Sequence, residues 1–145
     1  MPLLTGIHHV SVPASDPVAG SDWYVRVFGF AAVLIEERET EVVTVLLQHP
    51  CGVRLLLRRA AAPVVGLPEY PLFGLTVASH AELLRWVEHL TTFDVEHSWI
   101  RSAHPGWAVT VTGPDLGHQG IQPGALTLAP DQHAANLIRY QWPVY

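Results

Sequence analysis

The sequence predicts an α+β chain in which one order of elements, strand–helix–strand–strand–strand, runs twice. Three observations predict it. Two helical patterns each open on a strong N-cap, Asp16 and Ser79. Each is preceded by one strand candidate and followed by three. A stretch rich in Ala, Pro and Gly, Ala60 to Glu69, separates the two series. Element order and caps carry the repeat; the halves share no sequence identity of note.

The first strand is expected over Ile7–Val12, with Val10 and Val12 on one face and His9 and Ser11 on the other. Asp16 then caps a helix whose first position is Pro17. That helix is expected to reach about Phe28, with Trp23 and Val27 buried and Gly29 as its left-handed end. Strands are expected at about Ala31–Glu37, Glu41–Gln48 and Gly52–Arg58, the last two joined by a turn at His49-Pro50-Cys51-Gly52. In the second half, Tyr70–Ala78 reads as a strand and Ser79-His80-Ala81-Glu82 as a capping box. Leu83, Trp86, Val87 and Leu90 then mark one face of a helix; Trp23 and Trp86 are both assigned to the core. Further strands are expected at Val95–Ile100, Trp107–Thr112 and Ala125–Ala129. Gly113 to Gly124 forms a long loop, and Asp131–Tyr145 an aromatic-ended tail.

Composition narrows the function. The 145 residues carry 13 acidic groups against 8 basic ones, a net charge of −5, and all eight bases are Arg. The hydrophobic share is 49% and the charged share 14%, which fits a packed globule of one domain or two small halves. With no Lys there is neither a Schiff-base lysine nor a P-loop lysine. An acidic chain with scattered Arg lacks the basic stripe that nucleic acid requires. A single cysteine, Cys51, excludes an internal disulfide and a Cys-cluster zinc site. No apolar run reaches the ~20 residues of a membrane span, and the start lacks signal-peptide features, so a soluble cytoplasmic protein is expected.

Gly6-Ile7-His8-His9-Val10, then Ser15-Asp16-Pro17, then Trp23-Tyr24-Val25-Arg26-Val27-Phe28-Gly29-Phe30, resembles the first module of the vicinal oxygen chelate superfamily. This superfamily includes glyoxalases, extradiol dioxygenases, fosfomycin-resistance enzymes and bleomycin-binding proteins. Val95 to Arg101 followed by Gly113-Pro114-Asp115 resembles the second module. The resemblance implies two βαβββ modules related by a pseudo-twofold, forming an incompletely closed barrel around a cavity: residues 1–60, a linker at 61–69, residues 70–130 and a tail at 131–145. Metal-using members place one ligand on the first and one on the last strand of each module. His9 matches the first such position. Leu56 stands at the second, Leu72 at the third, and Gly124 or Thr127 at the fourth, none of them a metal donor of that kind. The expectation is therefore no resident metal and no cofactor.

His9 is then the candidate catalytic residue, a general acid or base; its alternative is a wall histidine left from a lost metal site. Arg54 and Arg58 alternate with Leu55 and Leu57. Facing the ligand, Arg54 would pair a carboxylate or phenolate; facing outward, the two are a solvated face. Ser11, Arg54, Trp99, Trp107, His118 and Gln122 complete the expected substrate contacts, the Trp as aromatic walls and His118, Gln119 and Gln122 as parts of a lid. Ordinary packing is the alternative for the Trp, and a neutral insertion for the loop. Cys51, in a strand turn, is not expected to be a nucleophile.

The expected function is metal-independent isomerisation, cyclisation or related proton transfer on a hydrophobic or aromatic small molecule. A non-catalytic protein that sequesters a drug or metabolite, resembling the bleomycin-binding members, is the alternative. In that case mild acidity would favour a cationic ligand. A second alternative is a lyase or dioxygenase whose metal is held by His9 with His97, His104 or His118. A homodimer is expected from the resemblance.

Overall fold

The computed structural model describes residues 1–60, 73–103, 106–113 and 125–130. His104, His118, Gln119, Gln122, the linker and the tail lie outside the described residues. The described chain forms two compact units.

The first unit holds β1 (Val10–Ala14), α1 (Pro17–Phe28), β2 (Ala31–Arg38), β3 (Glu41–Gln48) and β4 (Arg54–Arg59). Helix α1 starts where the sequence says it must. The Asp16 carboxylate accepts the backbone N–H groups of Val18 at 3.0 Å and Ala19 at 3.2 Å, satisfying donors that have no partner inside the helix. It ends at Gly29, whose φ of 75° is left-handed. The Gly29 N–H donates to the Val25 carbonyl at 3.1 Å and the Phe30 N–H to that of Tyr24 at 3.4 Å. Phe30 is then buried against the Tyr24 ring.

The sheet runs β1-β4-β3-β2, with β1 parallel to β4 and the other neighbours antiparallel. Alternation gives each strand two faces. Val12 and Ala14, Val45 and Leu47, and Leu55 and Leu57 are buried under α1. There they meet Trp23, Tyr24, Val27 and Phe28, the apolar stripe of the helix. Gly20 lets the helix approach closely: a Cβ there would lie 3.3 Å from Leu57 Cδ1.

Two strands of this unit differ from expectation in their bounds. The first strand is Val10–Ala14 rather than Ile7–Val12, because the parallel ladder begins where Val10 meets Leu55 and runs to Ala14 beside Arg59. The last strand starts at Arg54, because the preceding turn takes up Gly52 at φ 96° and closes with His49 N–H on the Val53 carbonyl at 2.9 Å. Strand β2 forms as expected but is exposed along its whole length. It is the outermost strand, and α1 spreads its buried stripe over the inner ones. It joins β3 through Glu39 and Thr40, both at positive φ without a glycine.

The second unit holds β5 (Phe73–Val77), α2 (His80–Thr92), β6 (Arg101–Ala103), β7 (Gly106–Thr112) and β8 (Ala125–Pro130). Its sheet order, β5-β8-β7-β6 with β5 parallel to β8, repeats that of the first unit. The architecture is thus α+β, with two open sheets of βαβββ order. Ser79 caps α2, its hydroxyl accepting from Glu82 N–H at 3.2 Å. The Glu82 carboxylate is held by Arg85 at 2.9 Å. Leu83 and Leu90 are buried in this unit, as are Val77, Val109, Val111 and Leu128 of its sheet. Trp23 is buried as expected; Trp86 is half-buried.

The strand expected over Val95–Ile100 shrinks to one bridge, His97 with Val111, and the regular strand starts at Arg101, opposite Ala108. Four steps along one strand face three along the other, so one extra residue is inserted between Ser98 and Arg101, as in a β-bulge. No helix among the described residues is long and apolar enough to cross a membrane.

Candidate functional site: the open face of the first sheet

The face of the first sheet turned away from α1 is built by the residues that alternate with the buried ones. The register orders it in rows. Ser11, Leu56, Leu46 and Leu34 stand side by side across the four strands. One row beyond lie Pro13, Arg58, Thr44 and Glu36; one row before lie Arg54, Gln48 and Ala31. His9 immediately precedes Val10, and Arg54 immediately precedes Leu55, the parallel partner of Val10. The register therefore sets an apolar band, Leu34, Leu46 and Leu56, between a row holding Arg54 and Gln48 and a row holding Arg58, Thr44 and Glu36. Leu46, Leu56 and Arg54 are half-buried, Thr44 is buried, and His9, Ser11 and Arg58 are exposed.

His9 Nδ1 lies 2.8 Å from His8 Nδ1, with the rings edge to face at 5.1 Å. A hydrogen bond between two Nδ1 atoms requires one ring to donate and the other to accept. The accepting ring then carries its proton on Nε2, and a neutral donating ring has a free Nε2 lone pair. The pair thus offers both a proton donor and a base at its outer edge, which is the equipment of proton transfer.

The arginines differ in what holds them. Arg38 is paired with Glu36 at 3.0 Å. Arg59 donates to the carbonyls of Val42 at 3.0 Å and Ser15 at 2.8 Å. Arg101 donates to the Thr110 hydroxyl. Arg54 and Arg58 have no hydrogen-bond or ion-pair partner among the described residues. They flank Leu56 on one strand, four residues apart, roughly 13 Å along it.

The structure brings together His9, Ser11 and Arg54 of the expected site. The two tryptophans belong to the second unit. Trp107 stands on the α2 side of its sheet, where its ring meets that of His80 at 5.1 Å. Trp99 lies at the bulge and is 91% exposed. His97 is used locally, its Nδ1 2.8 Å from the Val95 carbonyl. Sequence reasoning left out Leu46, Leu34 and Thr44, whose place depends on strand register. Arg58 joins Arg54 on this face, and the Arg54-Leu56-Arg58 alternation is its signal in the sequence.

A model of the glyoxalase/bleomycin resistance protein/dioxygenase superfamily matches residues 6–118. The chain belongs to that superfamily. No curated protein matches it by sequence. Among solved structures it is similar to a glyoxalase/bleomycin resistance protein/dioxygenase domain from Frankia sp. EAN1pec, with a TM-score of 0.70, 18% identity, and 88% and 98% of the two chains covered. It is similar to TnmS3, an antibiotic-binding protein from Streptomyces sp. CB03234 (TM-score 0.67, 15% identity, 90% and 98% covered). It is also similar to a fosfomycin resistance protein, FosX, from Listeria monocytogenes (TM-score 0.70, 13% identity, 95% and 100% covered). Identities this low establish the shared fold.

Metal-using members of the superfamily need a donor on the last strand of the first module. The residues of the β1–β4 seam do not fit a divalent cation. Leu56 offers no lone pair, and its neighbours two residues away on the same strand face, Arg54 and Arg58, are cations that would repel the ion. Among the described residues, no three His, Cys, Asp or Glu side chains gather closely enough to hold a metal.

Proposed function

We propose that this protein binds a small hydrophobic or aromatic molecule against the open face of the first sheet, and that His9 transfers a proton on it without a metal. The observation that carries the reading is the apolar band Leu34-Leu46-Leu56, bordered by the His8–His9 pair, Ser11 and Arg54. The band gives a flat ligand a surface of leucine. The imidazole pair supplies an acid and a base one row away. Isomerisation and cyclisation need no more than such a proton shuttle, provided the substrate carries an acidic C–H or O–H group.

A second reading is sequestration without turnover. The fold shared with an antibiotic-binding protein favours it. We also read the protein as cytoplasmic and homodimeric, to be checked by fractionation and by sedimentation.

The face is tested with phenylnaphthylamine, a neutral dye that fluoresces when it leaves water. Wild type is expected to bind it. The double variant Leu46→Gln, Leu56→Gln, with its circular dichroism unchanged, is expected not to. Undiminished binding by that variant moves the ligand to another surface. His9→Ala separates the two readings once a substrate is found: lost turnover at unchanged affinity supports catalysis, and binding with no turnover in either form supports sequestration. Elemental analysis of protein purified without a tag or chelator is expected to find no stoichiometric metal. A metal present in wild type and lost in His9→Ala would replace this reading with a metalloenzyme.

A further inference from the structure

We infer that the open face of the first sheet selects an organic anion, a flat apolar body carrying a carboxylate, sulfonate or similar oxyanion. This rests on the ligand-binding reading above and adds the sign and chemistry of the ligand's polar end.

The whole chain carries a charge of −5, which by itself favours cations. Among the described residues, this face carries two arginines close to its apolar band. Arg54 and Arg58 stand on the same face of β4, with Leu56 between them. The carboxylates nearest to them by register, Glu36 and Glu37, belong to the outermost strand β2, and Glu36 is taken by Arg38 at 3.0 Å. Among the described residues, the His8–His9 pair lies next to the start of β1, the parallel neighbour of β4.

Among the described residues of their unit, these two guanidiniums are set apart by having no hydrogen-bond or ion-pair partner. Arg38 and Arg59 are both held. Arg26 lies in the last turn of α1, where a cation is stabilised by the C-terminal end of the helix dipole. Arg54 is half-buried beside leucines, so it loses part of its hydration. A planar guanidinium so placed is most stable when an oxyanion accepts its paired N–H groups. An apolar body laid over Leu56 and Leu46 would bring its anionic end to Arg54 at one side or Arg58 at the other. Thr44 and Gln48 on the same rows, and Ser11 beside Leu56, offer further polar groups. The position that holds a carboxylate in metal-using relatives is thus a leucine bracketed by two cations.

The test compares two dyes of one ring skeleton, anilinonaphthalene sulfonate and phenylnaphthylamine, which differ in the sulfonate. Wild type is expected to bind the sulfonate more tightly by roughly tenfold, the worth of one charge-assisted hydrogen bond. Added salt is expected to reduce that preference. The variants R54Q and R58Q are expected to lower the ratio of the two affinities, and the double variant to bring it to one. R26Q, which removes an arginine elsewhere on the same unit, is expected to keep it. Equal affinity of wild type for the two dyes, or a preference that survives in the double variant or falls as far in R26Q, overturns the anion inference and leaves the ligand-binding face standing. Failure of both dyes to bind wild type overturns the face itself, and the inference with it.

Discussion

Replacing Gly29 with alanine isolates one physical effect. Gly29 has φ 75° and ψ 25°, and its N–H closes α1 on the carbonyls of Tyr24 and Val25. Those bonds use backbone atoms only, so Gly29→Ala keeps them. An added Cβ would meet nothing within 4 Å, so no packing term enters. What remains is the left-handed conformation, which costs an L-residue roughly 1–2 kcal/mol. The narrower unfolded ensemble of alanine offsets about 0.5 kcal/mol of this. The net loss should be about 1 kcal/mol, or about 3 °C in Tm for a chain of this size. Urea unfolding followed by circular dichroism measures it, and the m-value should not move, because the surface exposed on unfolding is the same. Gly29→Asn should lose less, since asparagine tolerates this region. A Gly29→Ala protein as stable as wild type, or one less stable than a proline substitution at the same site, would refute the reasoning.

Thr40→Gly applies the same rule with the opposite sign. Thr40 is a β-branched residue at φ 78° in the β2–β3 turn, so the change should stabilise by about 0.5–1 kcal/mol, read as a higher urea midpoint. Leu57→Ala removes a side chain that is 1% exposed and lies under α1. It should cost about 3 kcal/mol in the same titration. Ser79→Ala removes the hydroxyl that accepts from Glu82 N–H and should cost about 1 kcal/mol, with faster amide exchange in the first turn of α2.

Local signals were legible where one residue type answers one backbone need. Asp16, Pro17, Gly29 and Ser79 mark helix ends because an unpaired N–H needs an oxygen and a left-handed turn favours glycine. The Glu39–Thr40 turn was not legible, because neither residue prefers the conformation it adopts. The bulge before Arg101 escaped for a related reason. It depends on how β6 registers against β7, and nothing in Ser98-Trp99-Ile100 announces an extra residue. The same displacement left Trp99 in solvent, while alternation along β7 carried Trp107 to the α2 side.

The order of elements, the repeat, the ends of the helices and the absence of a carboxylate at Leu56 were determined by the sequence alone, because each depends on residue identity or short spacing. The candidate site was decided by the tertiary structure. Arg54 and Arg58, Leu34 and Leu46 come from three strands and His9 immediately precedes a fourth, and only the parallel pairing of β1 with β4 and the antiparallel pairings of β2, β3 and β4 set Leu34, Leu46, Leu56 and Ser11 in one row and the arginines in the rows beside it. A shift of one residue in any of those registers would turn its strand's side chains to the other face, because successive residues of a strand point in opposite directions.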